Sequence, residues 1–135
     1  MKVFHGTLSV VESGQVLATT LLVADGFWSR FRGLQGRWSF ARGHALLIVP
    51  CRSVHTFWMT LPIDVAALTT TGKVLDFVER LEPWQTWAGP AETHAILEYP
   101  GGTIPQCKSD HLRFLVNDGE PRLPTNLRWL LGLAD

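Results

Sequence analysis

A mainly β fold, either a compact antiparallel-rich β sandwich or a partly closed barrel with two or three short helices, is predicted by three observations. Seven or eight short runs rich in β-branched and apolar residues follow one another along the chain, and Gly, Pro, Ser and Thr clusters separate them. No internal repeat or low-complexity segment appears, which sets solenoids and propellers aside. The chain has 135 residues, 46% of them hydrophobic, enough apolar volume to close one core and too few residues for two domains.

The elements are read in order. Thr7 to Val11 and Gln15 to Val23 flank Glu12, Ser13 and Gly14, the pattern of a hairpin. Asp25 offers an N-cap, and Phe27, Phe31 and Leu34 recur at helical spacing before Gly33 and Gly36 weaken the helix, which predicts about ten helical residues. Ala45 to Val49 is an apolar run ended by Pro50 and reads as a buried strand. Val54 to Met59 and Asp64 to Thr69 flank a turn at Thr60 to Ile63, where Pro62 pushes Leu61 to an extended state; a second hairpin is expected there. Thr70, Thr71 and Gly72 make the next turn, and Lys73 to Leu81 alternates as a strand. A long loop with Trp84 and Trp87 leads to a run from Thr93 to Tyr99; a short turn or helix follows Pro100, and His111 to Val116 is the last strand. Residues 1–116 are read as the single β-rich domain. Residues 117–135 form a C-terminal extension in which Thr125 caps a short helix carrying Leu127, Leu130 and Leu131, docked on the domain or on a partner.

Charge narrows the function classes. Twelve Lys+Arg balance twelve Asp+Glu, so the broad basic field of a nucleic-acid binder is missing, although Phe27, Trp28, Phe31 and Trp38 interleave with arginines. Between Asp25 and Asp64 there is no carboxylate, while Arg30, Arg32, Arg37, Arg42 and Arg52 fall inside that interval. An arginine fork there suits a small anion; a solvated face paired with the acidic second half is the plainer account. No apolar run is long enough for a membrane span, and His5, Gly6, Thr7 and Glu12 interrupt any secretory core, so a cytoplasmic location is expected. Cys51 and Cys107 are too few for a disulfide scaffold and are read as thiols.

Motif chemistry is sparse. The glycines at 33, 36, 43, 101 and 102 do not spell a phosphate loop, and HExxH, paired CxxC and GxSxG are all missing. Cys51, His55 and Met59 recur every four residues. On a helix they would stand about 6 Å apart and could hold a soft metal or form a nucleophile pair. On a strand each gap is about 13 Å, and the β-branched and aromatic content of VHTFWM favours the strand. Asp64 heads an apolar strand and needs a partner if buried, either Arg37 or backbone amides of the turn. His55 reads as a structural histidine or, if it opens to a pocket, as a pH-sensitive ligand group.

Several segments together carry a resemblance: GLQGR (33–37), Gly43 and the apolar strand after it, CRSVHTFWMTLPIDVAAL (51–68), then Val74, Pro83 and LEYPGG (97–102). From about Asp25 to Leu112 the chain resembles the bacterial and archaeal family of domain of unknown function 192. The resemblance implies a compact β-rich fold with a motif core around His55, Thr56, Met59, Pro62 and Asp64, and no established activity. The expected function is therefore a noncatalytic binding module for a small anionic, sugar or peptide ligand. Its expected ligand-binding residues are Arg37, His55, Trp58, Asp64, Trp84 and Trp87, with no catalytic residue, metal or cofactor assigned. A Cys/His-dependent hydrolase or transferase using Cys51, His55 or Asp64, and an interaction subunit whose C-terminal helix docks on a partner, are the alternatives.

Overall fold

The computed structural model describes residues 2–26, 42–57, 61–100 and 106–132. Nine strands account for most of the described chain: β1 (Lys2–Val10), β2 (Val16–Ala24), β3 (His44–Ile48), β4 (Ser53–His55), β5 (Ile63–Leu68), β6 (Val74–Leu81), β7 (Thr86–Ala88), β8 (Ala95–Pro100) and β9 (Leu112–Val116). Seven of them form one mixed sheet in the order β6-β5-β8-β3-β2-β1-β9, and β4 pairs with β7 in a separate ribbon. The β2–β3 contact is parallel, which demands the long connection that residues 25–43 provide; the other pairs are antiparallel.

Side-chain alternation explains where the core sits. On one face Phe4, Leu8, Leu21, Leu47, Leu97 and Phe114 converge in the larger apolar cluster. On the other, Leu46, Ile48, Val65, Ala67 and Ile96 meet Val54, Trp87 and Cys51. The sheet centre is thus buried on both sides. Every residue of β5 is buried, and so are the first five of β8, as near-continuous apolar strands require.

The sheet curls until its two edges touch at one end. Lys73 bridges His111, the Val74 amide donates to the Asp110 carbonyl at 2.8 Å, and the Leu112 amide donates to the Gly72 carbonyl at 2.8 Å. Gly72 sits in this corner at φ +80°, and a Cβ there would stand 2.8 Å from the Leu112 carbonyl oxygen, so the turn needs glycine on both counts. The remainder of β6 and β9 is unpaired between them, and the barrel is not closed.

Three expectations change. The hairpin of Val54–Met59 with Asp64–Thr69 does not form. Only Ser53–His55 is strand there, paired as Ser53↔Ala88, Val54↔Trp87 and His55↔Thr86, whereas β5 lies between β6 and β8. The reason is polarity: IDVAAL, apolar at every position but Asp64, is buried throughout and lies inside the sheet, while Ser53 and His55 are exposed and stay at the surface. The long loop holding the two tryptophans accordingly contains β7.

One helix occurs among the described residues, a 3-10 helix at Thr125–Leu131. Pro124 rather than Thr125 stands at its N-cap, in extended conformation and without a side-chain cap bond. Leu127 and Leu130 are buried within the larger cluster, so the apolar side of this helix is spent on the domain's own core. The helix expected after Asp25 and the turn after Gly101 lie outside the described residues, as do Arg37, Trp58 and Met59. No described helix is long and apolar enough to cross a membrane.

Candidate functional site

The ribbon of β4 and β7 leads into an exposed aromatic surface. Just past β4, Thr56 is fully buried and joins the segment ahead of β7 through hydrogen bonds of its backbone and its hydroxyl. Its amide donates to the Gln85 carbonyl at 2.8 Å, and its carbonyl accepts from the Trp84 amide at 3.1 Å. Its hydroxyl donates to the Glu82 carbonyl and accepts from the Gln85 amide at 2.9 Å. One residue thereby satisfies the polar backbone of a tight bend that has no ladder of its own.

Trp84 stands at the tip of that bend. Its φ is +65°, a left-handed conformation that bulky side chains avoid, and its side chain is 57% exposed. Burial therefore does not account for the strained backbone. The indole stacks on Phe57, with centroids 5.6 Å apart and planes at 26°. Phe57 in turn lies against the His55 ring at 4.7 Å and 32°. His55 is exposed and Phe57 is 36% exposed, so three rings form a continuous shelf open to solvent. Such a surface presents an apolar aromatic face to solvent.

Of the six residues expected to bind a ligand, His55 and Trp84 come together, bridged by Phe57, which the sequence reading left out. Trp87 does not join them. It lies across from Val54 and packs, half-buried, on the second apolar cluster. Asp64 is fully buried in β5, where its Oδ1 accepts from the Arg80 amide at 2.8 Å. Arg80 has φ +53° at a register shift of the β5–β6 ladder, so Asp64 supports a β-bulge there. Its cross-strand neighbour is Tyr99, whose hydroxyl donates to the Leu17 carbonyl. Burial, and then the nearby Asp64 charge, push the Tyr99 hydroxyl pKa up. Arg37 and Trp58 fall outside the described residues.

A second buried acid escaped the sequence reading. Glu98 lies in β8 between Leu46 of β3 and Val65 of β5, and it is 4% exposed. Its Oε2 has no hydrogen-bond partner among the described residues, and burial pushes its pKa up to about 8. The side chain is a neutral carboxylic acid at pH 7. The available signal was a lone acid between Leu97 and Tyr99 inside an apolar strand of a buried sheet centre.

Cys51 packs half-buried on the second cluster, and its thiol donates to the Ser53 carbonyl at 3.0 Å. Cys107 is buried; desolvation first, then the Asp110 charge, raise its thiol pKa to about 11, so it stays protonated and unreactive at neutral pH. Neither cysteine is in a disulfide, and no group of three or more His, Cys, Asp or Glu among the described residues is arranged to hold a metal.

Comparison with known proteins sets this geometry in a family. Over 97 residues the chain is 33% identical to a UPF0127 protein of Thermococcus sibiricus, a match covering 67% of this chain and 61% of that one. The chain thus spans about three fifths of the length of this curated relative. A Sinorhizobium meliloti 1021 protein described as a candidate transcription regulator shares the fold at TM-score 0.73 and 20% identity, over 84% of this chain and 94% of that one. A protein of unknown function from Novosphingobium aromaticivorans matches at TM-score 0.67 and 16% identity, over 79% and 81%. At these identities the likeness concerns the fold alone. The family model of domain of unknown function 192, described as "Uncharacterized ACR", matches residues 8–111, and with most of its length so matched the chain belongs to that family.

Proposed function

We propose that the protein is a noncatalytic binding module whose recognition surface is the shelf of His55, Phe57 and Trp84, and that its ligand is a small molecule with a flat, weakly polar face, a sugar ring or the side chains of a short peptide. The observation that supports this reading is the strained and exposed Trp84. A left-handed backbone at a bulky residue costs on the order of 1–3 kcal/mol, and here it leaves the side chain 57% exposed. What it does achieve is a ring held at stacking distance from Phe57 on a bend anchored by Thr56. A rigid aromatic platform loses little conformational entropy when a ligand lies on it.

The test is calorimetric titration of the full chain with oligosaccharides in one series and short aromatic or anionic peptides in another. Trp84→Ala is expected to abolish binding of whichever series binds. Thr56→Val, which keeps shape and removes the hydroxyl, is expected to weaken it about tenfold through misplacement of the bend. Undiminished binding by Trp84→Ala sinks the proposal.

Two finer readings belong with it. The corner where β6 meets β9 supports a partly closed barrel over two flat layers of a sandwich. A cytoplasmic location is supported by the two cysteine thiols, Cys51 and Cys107.

A further inference from the structure

Glu98 stands in the layer on which the aromatic shelf is mounted. Along β8 it alternates with Ile96, and it lies opposite Leu46 of β3 and Val65 of β5. These three neighbours belong to the apolar cluster that Val54 and Trp87 join from the ribbon. The buried acid and the seat of the ribbon therefore share one face of the sheet.

The ribbon is held unevenly on that face. At one end the Cys51 amide donates to the His94 carbonyl at 2.9 Å, and Gly89 comes so close that a Cβ there would stand 2.8 Å from the Ala67 Cβ. From that end to the Thr56 bend the ribbon packs on the sheet through Val54 and Trp87, and each of its strands is three residues long. β3, β5 and β8 are instead joined to one another by continuous ladders. A carboxylate formed beneath the ribbon must be hydrated, and the less firmly held layer gives way first.

The other titratable groups of this face have their own places. Asp76 of β6 stands opposite Ala67 and meets Lys108 at 3.7 Å. His44 opens β3 two residues before Leu46, and the Cys51 thiol donates to the Ser53 carbonyl. None of them hydrogen-bonds the Glu98 Oε2, and no cation among the described residues is ion-paired with Glu98.

We propose that Glu98 is a proton-operated latch beneath the ribbon. Protonated, it lets Val54 and Trp87 stay packed in the cluster of Leu46, Val65 and Ile96. Ionised, it draws water into that layer and lifts the ribbon, and the shelf of His55, Phe57 and Trp84 comes apart. As regulation of ligand binding the latch rests on the shelf reading above; as a motion of the ribbon it does not. The closed ribbon holds the carboxyl at about 8 against an ordinary 4.5, so closure is favoured at low pH, declines between those values and levels off above about pH 8.

The experiment is native-state hydrogen exchange on the full chain without ligand, from about pH 5 to about pH 9, with and without low urea. The Thr56, Gln85 and Gly89 amides hold the ribbon together. Their protection, corrected for the intrinsic pH dependence of exchange, is expected to fall about tenfold per pH unit up to about pH 8 and to be insensitive to urea, the mark of a local opening. Glu98→Gln cannot ionise and is expected to keep the protection level across the range. Should that variant fold poorly, Glu98→Leu carries the same expectation. The inference is overturned if protection in the parent is level with pH, if it falls as steeply in the variants, or if His44→Asn abolishes the fall. It is overturned equally if the ribbon amides lose protection only together with the sheet amides and with the urea dependence of whole-chain unfolding. A shelf that binds nothing leaves this result standing, whereas a binding shelf with level exchange removes the latch alone.

Discussion

The β4–β7 ribbon and the centre of the seven-stranded sheet depart from the usual inside-outside arrangement in opposite directions. The ribbon region holds Phe57 and Trp84 out in solvent, while the sheet centre buries Asp64 and Glu98. Local support separates the cases. Trp84 is anchored through Thr56, and Asp64 is met by the Arg80 amide, but the Glu98 Oε2, between Leu46 and Val65, has no hydrogen-bond partner among the described residues, and burial pushes the carboxyl pKa up to about 8. A polar group that the fold has provided for marks a committed geometry; one without provision makes the fold sensitive to pH.

The contrast predicts its largest effect at Glu98. Its carboxyl titrates near the ordinary value of 4.5 when unfolded and at about 8 when folded. Below pH 4.5 both states are protonated and the group has no effect. Between these values the unfolded chain releases the proton that the folded chain retains, so stability falls by about 1.4 kcal/mol per pH unit, about 4–5 kcal/mol in all, and levels off above pH 8. Glu98→Gln should remove this decline and unfold at higher urea than the parent at pH 8. Parallel urea midpoints from pH 5 to 9 in the two proteins would contradict the burial account.

Asp64 comes next. Asp64→Ala leaves the Arg80 amide without its acceptor at the bulge and is expected to cost about 2 kcal/mol, with Asp64→Asn costing less than half as much because it keeps an acceptor oxygen. Equal losses in both variants would mean that charge, not the hydrogen bond, is what the bulge uses. The smallest effect belongs to the ribbon. Trp84→Gly relieves the positive φ and gives up only the stacking on Phe57, so the two effects oppose each other and stability should change by at most about 1 kcal/mol. A clear loss of stability would show the indole to be a structural prop.

Much of the fold was legible where neighbours in sequence are neighbours in space. The first hairpin, the turn at Thr70 to Gly72 and the strands at Ala45 to Val49, Lys73 to Leu81 and His111 to Val116 follow from alternation and turn residues alone. The partner of β4 did not. Its three residues pair with a strand some thirty positions away, inside what reads as a loop, and β5, apolar at every position but Asp64, was drawn between β6 and β8. The candidate site was legible in part. His55 and Trp84 are recognisable as polar and aromatic residues near loops, but Phe57 between them and Thr56 beneath them emerge only once the bend closes on β4.

By itself the amino-acid order determined a mainly β chain, most strand positions and the family, because side-chain periodicity and turn chemistry act over a few residues. Tertiary structure alone decided the strand order, the meeting of the sheet edges at Gly72, the seat of Asp64 at a bulge and the burial of Glu98. Those features depend on which surfaces are left to face each other after the apolar strands have taken the middle, a competition among distant segments that no local pattern records.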